Sequence, residues 1–268
     1  MIESKMIDLS TVIGVYPVCN TGAVLVHAID YGEDRVLASI NGIDPTWCDL
    51  TEQYVEETQD ADWYVDGDNK NGESDKAHKA AFNTDFSFNI PDFFAFGTRL
   101  LKSEPSKGEK DAPCMIVFCA FQQIPEVIRQ AEKHGFKNYI PLVFCKNYSP
   151  QVLKANMKIV GATEYGLVLY RGKLPKFRNG GHMIFNWFDW KRDGKEVPKI
   201  HPSQKPISVL KRLIEIFTDP GDVVIDPCAG SGSTLRAARE LGRNSYGFEV
   251  SRDFYNKAKE QMLMEVTA

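Results

Sequence analysis

No stretch of the chain approaches the ~20 consecutive apolar residues needed to span a bilayer, and this argues against a membrane role. The first residues, Met1-Ile2-Glu3-Ser4-Lys5, lack the basic-then-apolar order of a secretory signal, which predicts an intracellular, cytoplasmic chain. No C-x-x-C pair occurs among the six cysteines. Cys114, Cys119 and Cys145 sit inside apolar runs, so reduced, buried thiols are expected, with neither a zinc site nor a disulfide framework. There is no internal repeat and no excess of basic charge. The formal net charge is -4, so any affinity for nucleic acid must come from one local basic face.

What is present is an ample core. With 43% hydrophobic and 25% charged residues over 268 positions, the composition excludes wholesale disorder. The length fits one α/β domain with insertions. Short β-rich runs at Val12–Tyr16, Ala23–His27 and Arg35–Ile40 are separated by turn residues, a spacing that predicts antiparallel hairpins. Between Asp44 and Asp75 eleven acidic residues face Lys70 alone. A helix is predicted over Leu50–Thr58 and a loop over Gly67–Gly72, and residues 1–62 read as an N-terminal β-rich segment.

From Ile90 onward the pattern alternates. Helices are predicted at Ile90–Lys102, Ile124–His134, Ile207–Phe217 and Thr234–Leu241. Strands are predicted at Met115–Ala120, Ile140–Cys145, Tyr165–Tyr170, Asp222–Ile225 and Ser245–Val250. Such alternation predicts a doubly wound, mostly parallel α/β sheet over residues 63–268.

The most informative segment is Val223-Val224-Ile225-Asp226-Pro227-Cys228-Ala229-Gly230-Ser231-Gly232-Ser233-Thr234. An apolar strand runs into a glycine-rich turn and then a helix, an arrangement that lets backbone N–H groups approach a ligand. Glu249 ends the next strand about twenty residues past the turn, the offset at which an acid reaches ribose hydroxyls. That spacing alone fits a dinucleotide-binding fold equally well.

Asp226 to Thr234 resembles the D-P-F-x-G-S-G-T-T cofactor loop of DNA amino-methyltransferases, which methylate the exocyclic amine of adenine or cytosine. His201-Pro202-Ser203-Gln204-Lys205-Pro206 resembles the H-P-T-Q-K-P element that precedes this loop in the family's permuted β group, in the same order and with similar spacing. The resemblance covers about Asn89 to Met262. It implies a Rossmann-like methyltransferase fold and S-adenosyl-L-methionine as cofactor. Asp226, Pro227 and the turn Gly230-Ser231-Gly232 would then contact the methionine part of the cofactor. Ser233 and Thr234 would cap the helix, Glu249 would accept the ribose hydroxyls, and Ser203, Gln204 and Lys205 would close the pocket. Cys228 replaces the usual aromatic of that loop.

The family's catalytic loop is D/N/S-P-P-Y/F/W. Its polar side chain and the following carbonyl accept the two amine hydrogens, and its aromatic stacks on a flipped base. Here the nearest match is Asp44-Pro45-Thr46-Trp47, in which Thr46 takes the place of the second proline. Asp44, Pro45 and Trp47 are the candidate catalytic residues, and the aspartate leans toward adenine. Their position after a hairpin-like run leaves open a helix start whose indole merely packs, and with it a non-catalytic protein that binds cofactor and DNA.

Between residues 171 and 200 eight basic residues face Asp189, Asp193 and Glu196, interleaved with Phe185, Trp187, Phe188 and Trp190. In the permuted group this is the target-recognition region. Lys176, Arg178, Lys191 and Arg192 are the candidate contacts to double-stranded DNA. The same content argues against a methyltransferase acting on RNA or protein. No metal is implied, while the resemblance admits a homodimer and a cognate restriction nuclease as partners.

Overall fold

Met115–Cys119 is buried along its whole length, so the strand must be covered on both faces. Its alternate side chains divide between two cores. Met115, Val117 and Cys119 join Phe93, Phe94, Leu100, Val127 and Ala131, whereas Cys114, Ile116 and Phe118 join Leu210, Leu213, Ile214, Phe217 and Ala238. A sheet with helices on both sides follows from this period-two split.

The structure is a computed structural model that describes residues 4–8, 24–27, 90–119, 121–148, 151–154, 159–201, 204–249 and 251–264. In chain order the elements are β1 (Ser4–Asp8), β2 (Val24–His27), α1 (Ile90–Leu100), β3 (Met115–Cys119), α2 (Ile124–Lys133), β4 (Asn138–Lys146), β5 (Gln151–Lys154) and β6 (Ile159–Gly161). They continue with β7 (Thr163–Tyr170), β8 (Trp187–Trp190), α3 (Ile207–Phe217), β9 (Val223–Asp226), α4 (Ser233–Glu240), β10 (Asn244–Glu249) and α5 (Arg252–Lys257). Eight strands form one sheet in the order β1-β10-β9-β2-β3-β7-β4-β8, and β5 pairs with β6 apart from it. Among the described residues no helix is long and apolar enough to cross a membrane.

The fold is mixed α/β with parallel elements. The expectation of a mostly parallel sheet needs correction at the level of pairings. β1–β10, β10–β9 and β4–β8 are parallel, while β2–β9, β2–β3, β3–β7 and β4–β7 are antiparallel. Only β2 and β7 run against the others, so the remaining strands still end at a common carboxyl edge. β7 is reversed because it pairs antiparallel with both β3 and β4.

The N-terminal hairpin expectation also changes. β2 pairs with β3 and β9 rather than with a neighbouring hairpin strand, and β1 extends the sheet beyond β10. In its described parts, therefore, the 1–62 segment belongs to the main sheet. Val12–Tyr16, Arg35–Ile40, Leu50–Thr58 and Gly67–Gly72 lie outside the described residues.

α3 starts and stops where its apolar spacing predicts, burying Ile207, Val209, Leu210, Leu213, Ile214, Ile216 and Phe217. Each such side chain contributes about 1.5–3 kcal/mol on burial. β10 comes close to α4 because position 247 is glycine. A Cβ there would lie 2.6 Å from Leu235 Cδ1, 2.9 Å from Ala229 Cβ and 2.9 Å from Met6 Sδ. Gly247→Ala is therefore expected to destabilise the fold by about 1–3 kcal/mol through overpacking, read as a lowered urea midpoint at unchanged slope.

Candidate cofactor and nucleic-acid site

β9 and β10 lie side by side in parallel, with Asp226 opposite Gly247. Asp226 and Glu249 consequently end neighbouring strands at the same edge, and both are buried, at 1% and 8% exposure. The turn after β9 is folded around them. Cys228 N–H donates to Asp226 Oδ1 at 3.0 Å, and Gly230 N–H donates to Glu249 Oε2 at 2.8 Å. The other carboxylate oxygen of Glu249 accepts from Ser251 N–H at 2.7 Å. Gly230 (φ +50°) and Gly232 (φ +76°) occupy the left-handed region, which other residues enter only with strain.

Gly232 is the N-terminal capping position of α4, and no side chain caps it. The expected capping by Ser233 and Thr234 is thereby corrected, because both are buried inside the first helical turn. Ser233 Oγ instead shares a 2.6 Å hydrogen bond with Ser231 Oγ.

The element from His201 packs directly on this turn. The His201 ring meets Phe254 edge-on at 4.4 Å between centroids, and a Cβ at Gly230 would lie 3.8 Å from the imidazole. Burial pushes the imidazole pKa down to about 4, with Lys205 and Lys199 adding repulsion, so the ring is neutral at neutral pH. Gln204 departs from expectation. Its Oε1 accepts from Ile200 N–H and its Nε2 donates to Pro198 O, both at 3.0 Å. The amide thus folds its own loop, which leaves one N–H of Nε2 beyond these two bonds. Ser203 lies outside the described residues.

Lys205 is half-buried as a residue, and its ammonium turns inward, 5.0 Å from the centroid of the Phe118 ring. Burial lowers its pKa, while Glu164, Asp226 and Cys228 act to raise it.

The candidate DNA contacts separate onto opposite edges of the sheet. Lys176 Nζ lies 2.6 Å from Asp222 Oδ2 and 3.0 Å from Asp219 Oδ2. Arg178 binds Asp219 at 2.8 Å and Asp111 at 2.7 Å. Asp219 and Asp222 precede β9 and Asp111 precedes β3, so this cluster sits at the amino edge, away from Asp226. The reading of Lys176 and Arg178 as DNA contacts is corrected accordingly, since their charges are matched within the chain. Lys191 and Arg192 instead follow the carboxyl end of β8, on the edge that carries the glycine turn. Lys191 stands 4.0 Å from Asp189 with both side chains exposed. The Arg192 guanidinium lies 3.8 Å above the Tyr148 ring, whose hydroxyl accepts from Trp190 Nε1 at 3.1 Å. Trp190 itself is buried, whereas Phe185 and Trp187 are exposed and stacked at 6.0 Å.

Asp44, Pro45 and Trp47 lie outside the described residues. The sequence reading assigned no role to two polar arrangements. Glu164 pairs with Lys146 at the carboxyl edge, and both Asp193 oxygens accept from Ile207 N–H, at 2.9 and 3.2 Å, to close the start of α3. Neither has a local signal, because each pair joins separate elements. Among the described residues no group of three His, Cys, Asp or Glu side chains could hold a metal.

The family described as DNA methylase matches residues 103–260. The YubD protein of Escherichia coli K12 is 32% identical over 160 residues, covering 59% of this chain and 64% of that one. The DNA adenine methyltransferase YhdJ of the same organism is 31% identical over 131 residues, covering 47% of this chain and 45% of YhdJ. The chain thus spans less than two thirds of the length of these curated relatives. The crystal structure of the M1.HpyAVI–SAM complex shares the fold, with TM-score 0.55 and 23% identity over 69% of this chain and 86% of that one.

The amino-edge cluster makes a pH-dependent contribution to stability. The Arg178 hydrogen bond, aided by Lys176, holds the Asp219 carboxyl down to about 2. A depressed folded pKa stabilises above the unfolded value near 4 and is lost as pH falls through 2. Arg178→Ala should lower the melting temperature at pH 7 and flatten its decline between pH 4 and 2, with cofactor affinity unchanged in calorimetry.

Proposed function

The chain belongs to the DNA methylase family of adenine-N6 and cytosine-N4 methyltransferases, and on that footing we propose that it transfers a methyl group from S-adenosyl-L-methionine to the exocyclic amine of a base in DNA, adenine being favoured over cytosine. One observation carries the reading: two buried carboxylates, Asp226 and Glu249, end adjacent parallel strands on either side of a left-handed glycine turn. This pair of acceptors fits a cofactor that carries an ammonium on its amino-acid end and hydroxyls on a ribose. Asp226, Pro227 and the turn from Gly230 to Thr234 would receive the methionine end, and Glu249 the ribose hydroxyls. His201 closes the turn from above and, being neutral, adds no positive charge there. Bound S-adenosyl-L-methionine supplies an electrophilic methyl group.

The chain has to hold the amine so that its lone pair faces that methyl group. Asp44 and the Pro45 carbonyl would accept the two amine hydrogens, and Trp47 would stack on the extruded base. Lys191 and Arg192 would neutralise backbone phosphates beside the pocket.

One feature favours a second reading, a protein that binds cofactor and DNA without transfer. β2 occupies the place between β9 and β3, yet it runs antiparallel to both. The chain therefore leaves His27 at the amino edge, whereas a strand delivering a catalytic loop would end beside Asp226.

Incubating DNA with labelled cofactor and identifying the modified nucleoside tests the two readings. Asp226→Ala should weaken cofactor binding at least roughly tenfold, about 1.4 kcal/mol; unchanged affinity in a folded variant removes the cofactor assignment. Asp44→Ala should abolish transfer and spare cofactor binding, and Trp47→Ala should weaken base capture by roughly 1–3 kcal/mol. A wild-type protein that binds both ligands and leaves DNA unmodified establishes the second reading.

A further inference from the structure

The carboxyl end of β8 carries a cation seated on an aromatic ring. β4 and β8 pair in parallel with Lys146 opposite Trp190. Continued past both strand ends, that register sets Tyr148 opposite Arg192, and the side chains meet there. The Arg192 guanidinium lies 3.8 Å from the centroid of the Tyr148 ring. The ring is itself anchored. Tyr148 packs against the core that contains Phe144 and Trp190, and its hydroxyl accepts from Trp190 Nε1 at 3.1 Å.

Stacking engages the face of a guanidinium and leaves its in-plane N–H donors directed outward. Arg192 is exposed, and among the described residues it makes no hydrogen bond or ion pair. The acids nearest to it in sequence are committed elsewhere. Asp189 faces Lys191 at 4.0 Å, and both oxygens of Asp193 accept from Ile207 N–H. A long side chain ordinarily loses rotamer entropy when a ligand fixes it, whereas here the ring has already oriented the fork.

We propose that Arg192, held on Tyr148, is a preformed clamp for one phosphodiester of DNA, an inference that rests on the DNA methyltransferase reading and deepens it. β8 ends the sheet, five strand spacings from β9, or roughly 24 Å. That span separates the clamp from a base held beside the cofactor, so the ligand is the backbone. Duplex DNA carries one negative charge per about 1.7 Å of axis and offers a phosphate at that distance whatever its sequence. Two parallel N–H groups of the fork match two phosphate oxygens. Lys191, exposed and loosely opposed by Asp189, adds an unoriented charge beside it. Tyr148 is the positioning residue: it acts on DNA through Arg192.

The test measures binding of the full chain to two short fluorescent duplexes of unrelated sequence, between about 50 and 200 mM salt. Arg192→Ala should weaken both equally, by roughly fivefold, and reduce the slope of log affinity against log salt by about 0.9, one phosphate's share. Tyr148→Leu should weaken both by roughly threefold, yet add less than about twofold once Arg192 is already alanine. Tyr148→Phe, which keeps the ring, should stay within about twofold of wild type. An unchanged slope in Arg192→Ala overturns the proposal whether or not the Tyr148 variants fold. A loss confined to one duplex also overturns it, making Arg192 a reader of a base edge. So does a Tyr148→Leu loss that persists undiminished in the Arg192→Ala background, which puts the ring itself on DNA. A wild-type protein that binds neither duplex overturns the clamp and the DNA reading together. One that binds both through the clamp and leaves DNA unmethylated supports the clamp and counts against transfer alone.

Discussion

The parallel pairing of β9 with β10 is the constraint on which the site depends. It sets Asp226 and Glu249 at neighbouring strand ends, and the turn between β9 and α4 then folds onto Glu249 through the Gly230 N–H. The turn is held by a partner distant in sequence as well as by its own glycines. Close approach of the layers is possible because position 247 has no side chain, with Leu235, Ala229 and Met6 filling the space. β1 beyond β10 contributes Met6 to the same small core as Ala229 and Leu235, so the N-terminal residues support the turn that the C-terminal third of the chain builds.

Charge is distributed by edge. At the amino edge Lys176 and Arg178 are matched by Asp111, Asp219 and Asp222, which fastens the stretch after β7 to the entry of β9. At the carboxyl edge the balance differs. Lys191 is exposed and loosely opposed, Arg192 lies over an aromatic ring, and Lys205 rests on Phe118. Cations matched within the fold contribute little attraction to a polyanion, so on the proposed reading DNA would meet the edge that also carries the glycine turn. A net charge of -4 hides this division, because a sum over the chain has no direction.

The basic, aromatic stretch between β7 and α3 likewise serves two purposes. Trp190 belongs to the core beside Phe144 and Phe118, and Asp193 closes the start of α3. Those anchors fix the segment that presents Lys191 and Arg192. An insertion tethered in this way can carry recognition residues with little loss of order on binding.

What the sequence determined by itself was whatever depends on near neighbours along the chain. The apolar spacing of α3 predicted its limits at Ile207 and Phe217, the apolar run of β3 its burial, and Asp226 to Thr234 a strand, turn and helix in that order. What only the tertiary structure decided was pairing at a distance. β2 reads as a hairpin strand from its spacing, yet it inserts between β9 and β3. Lys176 and Arg178 read as free cations, yet they are claimed by aspartates 41 to 67 residues away. Gln204, which reads as a ligand contact, also ties its own loop together. Glu164, to which the sequence assigned no role, meets Lys146 of the neighbouring strand. Backbone propensity and side-chain periodicity act over a few residues and leave a mark in the sequence, whereas the partner of a charge or of a strand edge is fixed only when the chain closes on itself.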